Sequence, residues 1–329
     1  MFIMSFGDIA GSHNPALVSR CLLTGFFSER DGGFMSRLAA NALLLLAAAL
    51  WGGAFIAQSE AGHYMSAGWF TGLRFILAFL AVLPLGVMEA RRNPFAPRQL
   101  LSTIPLAVVF ALAMLIQQWG LAYTSVTHAG FLTGLYVIFV PLIEVLWLRR
   151  LPHPLIWLAT LLALAGTWFL GGGFDHLDFG DLLIIISAFG FAVQILLMQQ
   201  AARGATGPVS AALSQSAGCA VIGCVVGGIG GVPHLGILIH CWPELVYGGV
   251  VSGGVAFLLQ AICQRHTGAT DTAVMLMSEA LFAALFAALL LGERMKAMGW
   301  IGCGLLFAAL VLAQIGPLLL PWKKADQLA

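Results

Sequence analysis

Ten apolar stretches, each long enough to cross a lipid bilayer, occupy nearly all of the chain after about residue 37, in two sets of five. They run over 38–57, 66–88, 101–121, 127–148, 154–170, 179–199, 208–230, 244–263, 271–291 and 297–320. A bilayer core of roughly 30 Å takes about 20 apolar residues of helix. A backbone immersed in it must satisfy its own hydrogen bonds, and stretches of this length do so as helices. With 60% hydrophobic and 9% charged residues among 329, there is too little polar sequence to cover a soluble core of this size. The chain therefore reads as an all-α membrane protein of ten transmembrane helices. Its loops are too short to hold a separate soluble domain.

Charge sets the expected orientation. With the N-terminus inside, the inner loops hold Arg91, Arg92, Arg98, Arg149, Arg150, Arg203 and Arg265, and the terminal segments add Arg20, Arg30, Arg37, Lys323 and Lys324. The outer loops hold Arg294 and Lys296. Twelve basic residues against two places both termini in the cytoplasm. The net charge of +1 provides no concentrated basic face, so nucleic acid is not an expected partner. The six cysteines are scattered without a CxxC pair and read as small apolar helix residues. HExxH, GxSG and GxxxxGK[ST] are all missing, so neither a metal, a cofactor nor ATP is implied. Residues 1–36 are polar and mixed in charge and lack the apolar core of a secretory signal. They read either as a cytoplasmic tail or as sequence upstream of the natural start. Met35-Ser36-Arg37, directly before the first apolar run, favours the latter.

A shift of 143 residues aligns Gln117 with Gln260, Thr124 with Thr267, Thr127 with Thr270, Phe139 with Phe282 and Trp157 with Trp300. The expected organisation is a first repeat over 37–172 and a second over 178–320, followed by a cytoplasmic tail at 321–329. Because each repeat holds an odd number of spans, the second lies inverted. Inverted repeats commonly build secondary transporters, with the binding site near the midplane where the copies meet.

Trp51-Gly52-Gly53-Ala54-Phe55, Leu73-Arg74-Phe75 and the run from Ala129 to Tyr136 continuing to Val140-Pro141-Leu142 resemble the EamA family of the drug/metabolite transporter superfamily. So do Gly180-Asp181-Leu182-Leu183, Leu259-Gln260 with Gln264, Ser278-Glu279 and Leu291-Gly292-Glu293-Arg294. The resemblance covers nearly everything from Met35 onward. It implies a ten-helix inner-membrane carrier of small metabolites, often exporting, that works by alternating access. The fifth and tenth helices would pack outside a cavity that the others surround. Two departures stand out: Arg149-Arg150 occupy a place where members often carry Glu, and Ala280 replaces a usual Pro after Glu279. The second departure predicts a straighter ninth helix.

Charge inside a membrane is costly and marks functional candidates. Arg74 lies roughly 12 Å, and Glu279 roughly 18 Å, below the outer face at about 1.5 Å of rise per residue, within reach of one another. Arg74 would hold a substrate carboxylate with its planar fork. Glu279 would pair with Arg74 in the empty site, or take an ammonium group or a proton. The competing reading is a permanent structural ion pair. Glu144 reads as a helix-end charge near the cytoplasmic face, reaching toward Arg149 and water. Tyr136 is the repeat equivalent of Glu279 and offers an apolar face with one hydroxyl. Gln117 and Gln260 are equivalent amides, suited either to joining helices or to lining a cavity. Trp51 serves as a cavity wall or a packing residue. Pro141 removes a backbone hydrogen bond and is expected to bend the fourth helix, as a hinge or a fixed kink.

The function expected from all this is a secondary carrier of small polar or amphipathic metabolites in a bacterial inner membrane. Amino acids are the leading substrate class, with export favoured over uptake and proton coupling through Glu279. The alternatives are a non-transporting sensor or assembly subunit and a membrane-embedded lipid-modifying enzyme. The partners are a small solute and the bilayer; oligomeric state is not read from the sequence.

Overall fold

The apolar stretches fold as helix at the expected places. The computed structural model describes residues 35, 37–92, 97–124, 126–147, 149, 153–170, 178–290 and 297–319. The segment 1–34, Ser36, Arg150, Leu291-Gly292-Glu293-Arg294, Lys296 and the tail 321–329 lie outside the described residues. The architecture below is that of the unit beginning at Arg37. Its first half comprises α1 (Arg37–Gly62), α2 (Ala67–Arg92), a short α3 (Pro97–Ser102), α4 (Ile104–Gly120), α5 (Val126–Thr133), α6 (Tyr136–Leu146) and α7 (Pro154–Leu170). The second half has α8 (Phe179–Arg203), α9 (Pro208–Ile229), short α10 (Leu235–His240) and α11 (Trp242–Val246), and a π-helical segment (Tyr247–Ala256). It ends with α12 (Phe257–Gln264), α13 (Ala269–Leu276), α14 (Glu279–Leu290) and α15 (Ala297–Leu319). Among the described residues, seven helical runs are long and apolar enough to cross a membrane. Three shorter apolar helices, Ile104–Gly120, Pro154–Phe169 and Ala297–Ala313, fall on the third, fifth and tenth expected stretches.

Local chemistry starts and stops these helices. α8 opens on a capping box, in which Asp178 N–H donates to the Asp181 carboxylate at 3.1 Å. α9 opens on Pro208, whose missing N–H is no loss in a first turn, behind Gly207 at φ +78°. Lipid offers no hydrophobic drive between helices, so close backbone contact and polar ties do the packing. α2 and α9 cross on two facing GxxxG runs. A Cβ on Gly68 would lie 2.4 Å from Gly227 N, and one on Gly72 would lie 2.6 Å from Cys224 N. α7 packs on α15 in the same way, through Gly166 against the carbonyl of Gly302 and against Leu306. Leu161, Val221, Trp300 and Phe307 are exposed on the outer surface, as a lipid-facing wall requires.

The breaks in two helices differ from expectation. The fourth span tightens at Gly134-Leu135, between α5 and α6, whereas Pro141 sits inside a continuing α6. The ninth span tightens at Met277-Ser278, between α13 and α14, although no proline stands there. The ninth span is thus interrupted where a straighter helix was expected, while Pro141, expected as a hinge or a fixed kink, lies within an unbroken α6. The two breaks are copies, offset by 143 residues. Leu135 N bonds Leu132 O at 3.1 Å and Val137 N bonds Gly134 O at 3.0 Å, while Ser278 N bonds Met275 O at 3.3 Å and Ala280 N bonds Met277 O at 3.2 Å. These i→i−3 bonds make each break a single 3₁₀ turn. A Cβ on Gly134 would lie 2.8 Å from Cε of Met277, its own repeat equivalent. The helices thus tighten where the two copies touch. One missing proline N–H costs one bond and does not decide where that contact falls.

Candidate functional site

The two 3₁₀ turns deliver Tyr136 and Glu279 as the first residues of α6 and α14, next to the repeat axis. The Tyr136 hydroxyl donates to Glu279 Oε1 at 3.2 Å, joining residues related by the repeat. Both are buried, and both line a central cavity. All six residues singled out as cavity candidates, Trp51, Arg74, Gln117, Tyr136, Gln260 and Glu279, line it. The lining comes from α1, α2, α4, α5, α6, α8, the π-helical segment, α12, α13 and α14. None of it comes from the described residues of α7 or α15, in line with the outer position implied for the fifth and tenth helices. α9 contributes none either, although it was expected to share in the wall.

Arg74 is 2% exposed, and its guanidinium lies 5.1 Å from the ring centroids of both Phe70 and Phe75. Its Nη2 donates to Met114 Sδ at 3.0 Å, a weak acceptor, and its Nε has no partner. Among the described residues no carboxylate lies within ion-pair reach of it. The expected pairing with Glu279 is not formed, so neither the empty-site pair nor the permanent structural pair describes this geometry. The reason is local: Glu279 is turned to the axis and takes its hydrogen bond from Tyr136, while Arg74 is held among aromatic rings. The cavity therefore holds one buried cation and one buried carboxyl group that do not neutralise each other.

The remaining polar groups frame this pair. Gln117 donates to Thr133 Oγ1 at 3.0 Å. Gln260 and Gln194 exchange long bonds of 3.4 Å, and Gln194 is fixed from behind by Gln215 at 3.0 Å. Each equivalent amide thus ties helices together and lines the cavity as well. The Trp51 indole donates to the backbone carbonyl of Ser252 at 3.1 Å, and its ring lies 4.6 Å from that of Phe257. Phe110 meets Phe75 and Phe257 edge-on at 5.3 and 4.6 Å, supporting the wall from outside. Glu144 lies away from the cavity lining and accepts a hydrogen bond from Thr270, which ties the end of α6 to the start of α13. His128 approaches Asp181 at 3.9 Å, and Asp181 also accepts from Thr124.

Three parts of the site escaped sequence reasoning. Gln58 lines the cavity with an unpartnered Oε1, and the spacing of 51, 54, 55 and 58 places it on the Trp51 face of α1. Gln194 is an isolated amide with no mark in the sequence that separates it from Gln215. The π-helical segment left a legible trace, because Gly248-Gly249 and Gly253-Gly254 repeat at an interval of five residues.

An apolar helical bundle with a buried cation and a buried carboxyl group lining one cavity, between two repeat-related broken helices, has the build of a membrane transporter. The chain belongs to the EamA-like transporter family, whose profile matches it twice, over residues 38–172 and 178–314. An uncharacterized transporter of Archaeoglobus fulgidus is 28% identical over 304 residues, spanning 90% of this chain and 92% of that one. A protein crystal structure superposes with a TM-score of 0.69 over 84% of this chain and 97% of its own, at 18% identity, a likeness of fold alone.

Proposed function

We propose that this transporter is a secondary carrier of small zwitterionic metabolites, with amino acids as the substrate class and export as its direction. The observation that carries this reading is the buried, uncompensated guanidinium of Arg74 in the wall of a cavity that also holds Glu279. A buried charge without a partner costs several kcal/mol, and a substrate carboxylate supplies the missing partner bidentately. The ammonium group of the same solute fits Glu279, with Tyr136 steadying the carboxyl. One molecule then satisfies two groups that do not satisfy each other. A sensor or assembly subunit has no use for such a cavity, and this favours transport.

In this reading ten spans cross a bacterial inner membrane as two inverted five-helix repeats, with both termini cytoplasmic. The twin 3₁₀ turns at the repeat axis support alternating access by rocking of one repeat against the other. The carrier is tested in proteoliposomes loaded with an equimolar pool of amino acids and small metabolites, with efflux followed by mass spectrometry. Selective loss of amino acids is the expected result; equal retention of every compound by folded protein overturns the reading.

Proton coupling through Glu279 extends the proposal, since a carboxyl group that gives up a proton when ammonium binds exchanges one for the other. Glu279→Gln is then expected to lose the dependence of flux on an imposed pH gradient. Tyr136→Phe, which keeps the carboxyl, is expected to retain that dependence with a several-fold weaker half-saturation. Gradient-driven flux of wild-type size in Glu279→Gln would end the coupling idea.

A further inference from the structure

We infer that the glycine-paired π-helical segment of the eighth span, Tyr247–Ala256, positions the Arg74 guanidinium in the cavity. This rests on the reading of Arg74 above and assigns the residues that place it. Ten consecutive residues in π conformation are unusual, since the form mostly occurs as single-turn bulges and often marks a functional site. The sequence Gly248-Gly249-Val250-Val251-Ser252-Gly253-Gly254 carries its glycine pairs five residues apart. In an α-helix, positions five apart point roughly 140° away from one another. With i→i+5 pairing they return to nearly the same side, and here they form one bare face turned to α2.

That face lies against the turn of α2 that carries Arg74. A Cβ on Gly249 would fall 2.6 Å from the Arg74 carbonyl oxygen and 2.7 Å from Leu77 Cβ. A Cβ on Gly248 would meet Arg74 Cδ and Phe70 Cζ, each at 3.5 Å. One turn on, Gly253 faces Ala78 Cβ at 3.0 Å, and Gly254 faces Ala81 Cβ at 3.3 Å. Gly249 thus sets how closely the Arg74 backbone approaches, and Gly248 lies alongside the side-chain stem, where a Cβ would make ordinary contact with it.

Two ties to α1 keep the segment from relaxing to an ordinary helix. Phe257 N bonds Gly254 O, and Ser252 O accepts the Trp51 indole N–H at 3.1 Å. At the other end, the Tyr247 hydroxyl donates to Leu50 O at 2.9 Å. Adjacent residues of α1 therefore hold both ends of the widened turn, and the turn sets the distance between α2 and the cavity.

The test uses the full-length protein and two readouts. One is amino-acid efflux from proteoliposomes loaded with graded concentrations of the same equimolar amino-acid pool. The other is the rate of phenylglyoxal modification at Arg74, followed by peptide mass spectrometry, which needs no knowledge of the substrate. Gly249→Ala is expected to raise the half-saturation at least ten-fold, keep the maximal rate within two-fold, and change the Arg74 labelling rate several-fold. Gly254→Ala lies on the same face beyond Arg74 and is expected to stay within two-fold in both. Gly248→Ala makes only ordinary contacts and should fold whatever Gly249→Ala does; it is expected to slow Arg74 labelling at least two-fold. Wild-type labelling of Arg74 in Gly248→Ala, or a loss of maximal rate in Gly249→Ala with half-saturation unchanged, would overturn the assignment. Half-saturation unchanged in Arg74→Ala would instead sink the substrate reading and leave the labelling result standing.

Discussion

Arg74→Met is expected to reduce efflux of carboxylate-bearing substrates by roughly 30-fold to several thousand-fold, while thermal stability holds or rises. Among the described residues Arg74 is the one cation lining the cavity, and no carboxylate lies within ion-pair reach of it. Truncating one partner of a desolvated charge pair costs about 2–5 kcal/mol. At about 1.4 kcal/mol per factor of ten, that is roughly 30-fold to several thousand-fold in affinity. The empty protein loses little in exchange. Replacing a buried charge by an apolar side chain of similar length is often neutral or stabilising, and methionine retains contact with the Phe70 and Phe75 rings. Arg74→Lys is expected to fall between, since a flexible point charge lacks the planar fork. Efflux by the variants and unfolding midpoints from intrinsic fluorescence check the two halves together. A structural role for Arg74 predicts the opposite pattern, with stability lost and transport of the remaining folded protein kept.

The largest loss of stability is expected from Gly223→Leu. A Cβ at this position would lie 2.5 Å from Gly72 N and 2.7 Å from Gly72 Cα, so the obstacle is backbone, which cannot swing aside. Relief requires α2 and α9 to separate along the whole crossing, including the Gly68–Gly227 contact one turn away. Overpacking a tight interior costs about 1–3 kcal/mol, and more where backbone is involved. The unfolding midpoint should drop by roughly 5–10 °C. Arg74 lies two residues beyond Gly72, so efflux should fall along with stability, in contrast to Arg74→Met. A midpoint within a degree of wild type would show that this crossing is looser than its geometry implies.

Much of the architecture was legible beforehand because the bilayer reads composition directly. A span is apolar or it is not, and the helical ends lie near the ends of the apolar runs, as with Pro154–Leu170 and Ala297–Leu319. The 143-residue offset was legible for a related reason: a duplicated unit repeats its polar exceptions, and Tyr136 and Glu279 are such a pair. Gln194 was not legible, because its role depends on Gln215 and Gln260 arriving from two other helices.

The sequence by itself determined the membrane class, the places of the helices, the repeat and the burial of Arg74 and Glu279, since each follows from local composition against a fixed bilayer thickness. Only the tertiary structure decided how those parts meet. Contact between Gly134 and Met277 set the helix breaks, away from Pro141. The Tyr136 hydroxyl at the axis and the rings around the guanidinium kept Glu279 and Arg74 apart. A bare glycine face against α2 accompanied the π-helical turn. Each of these outcomes depends on distances of a few ångströms between residues far apart in the chain, and composition carries no record of them.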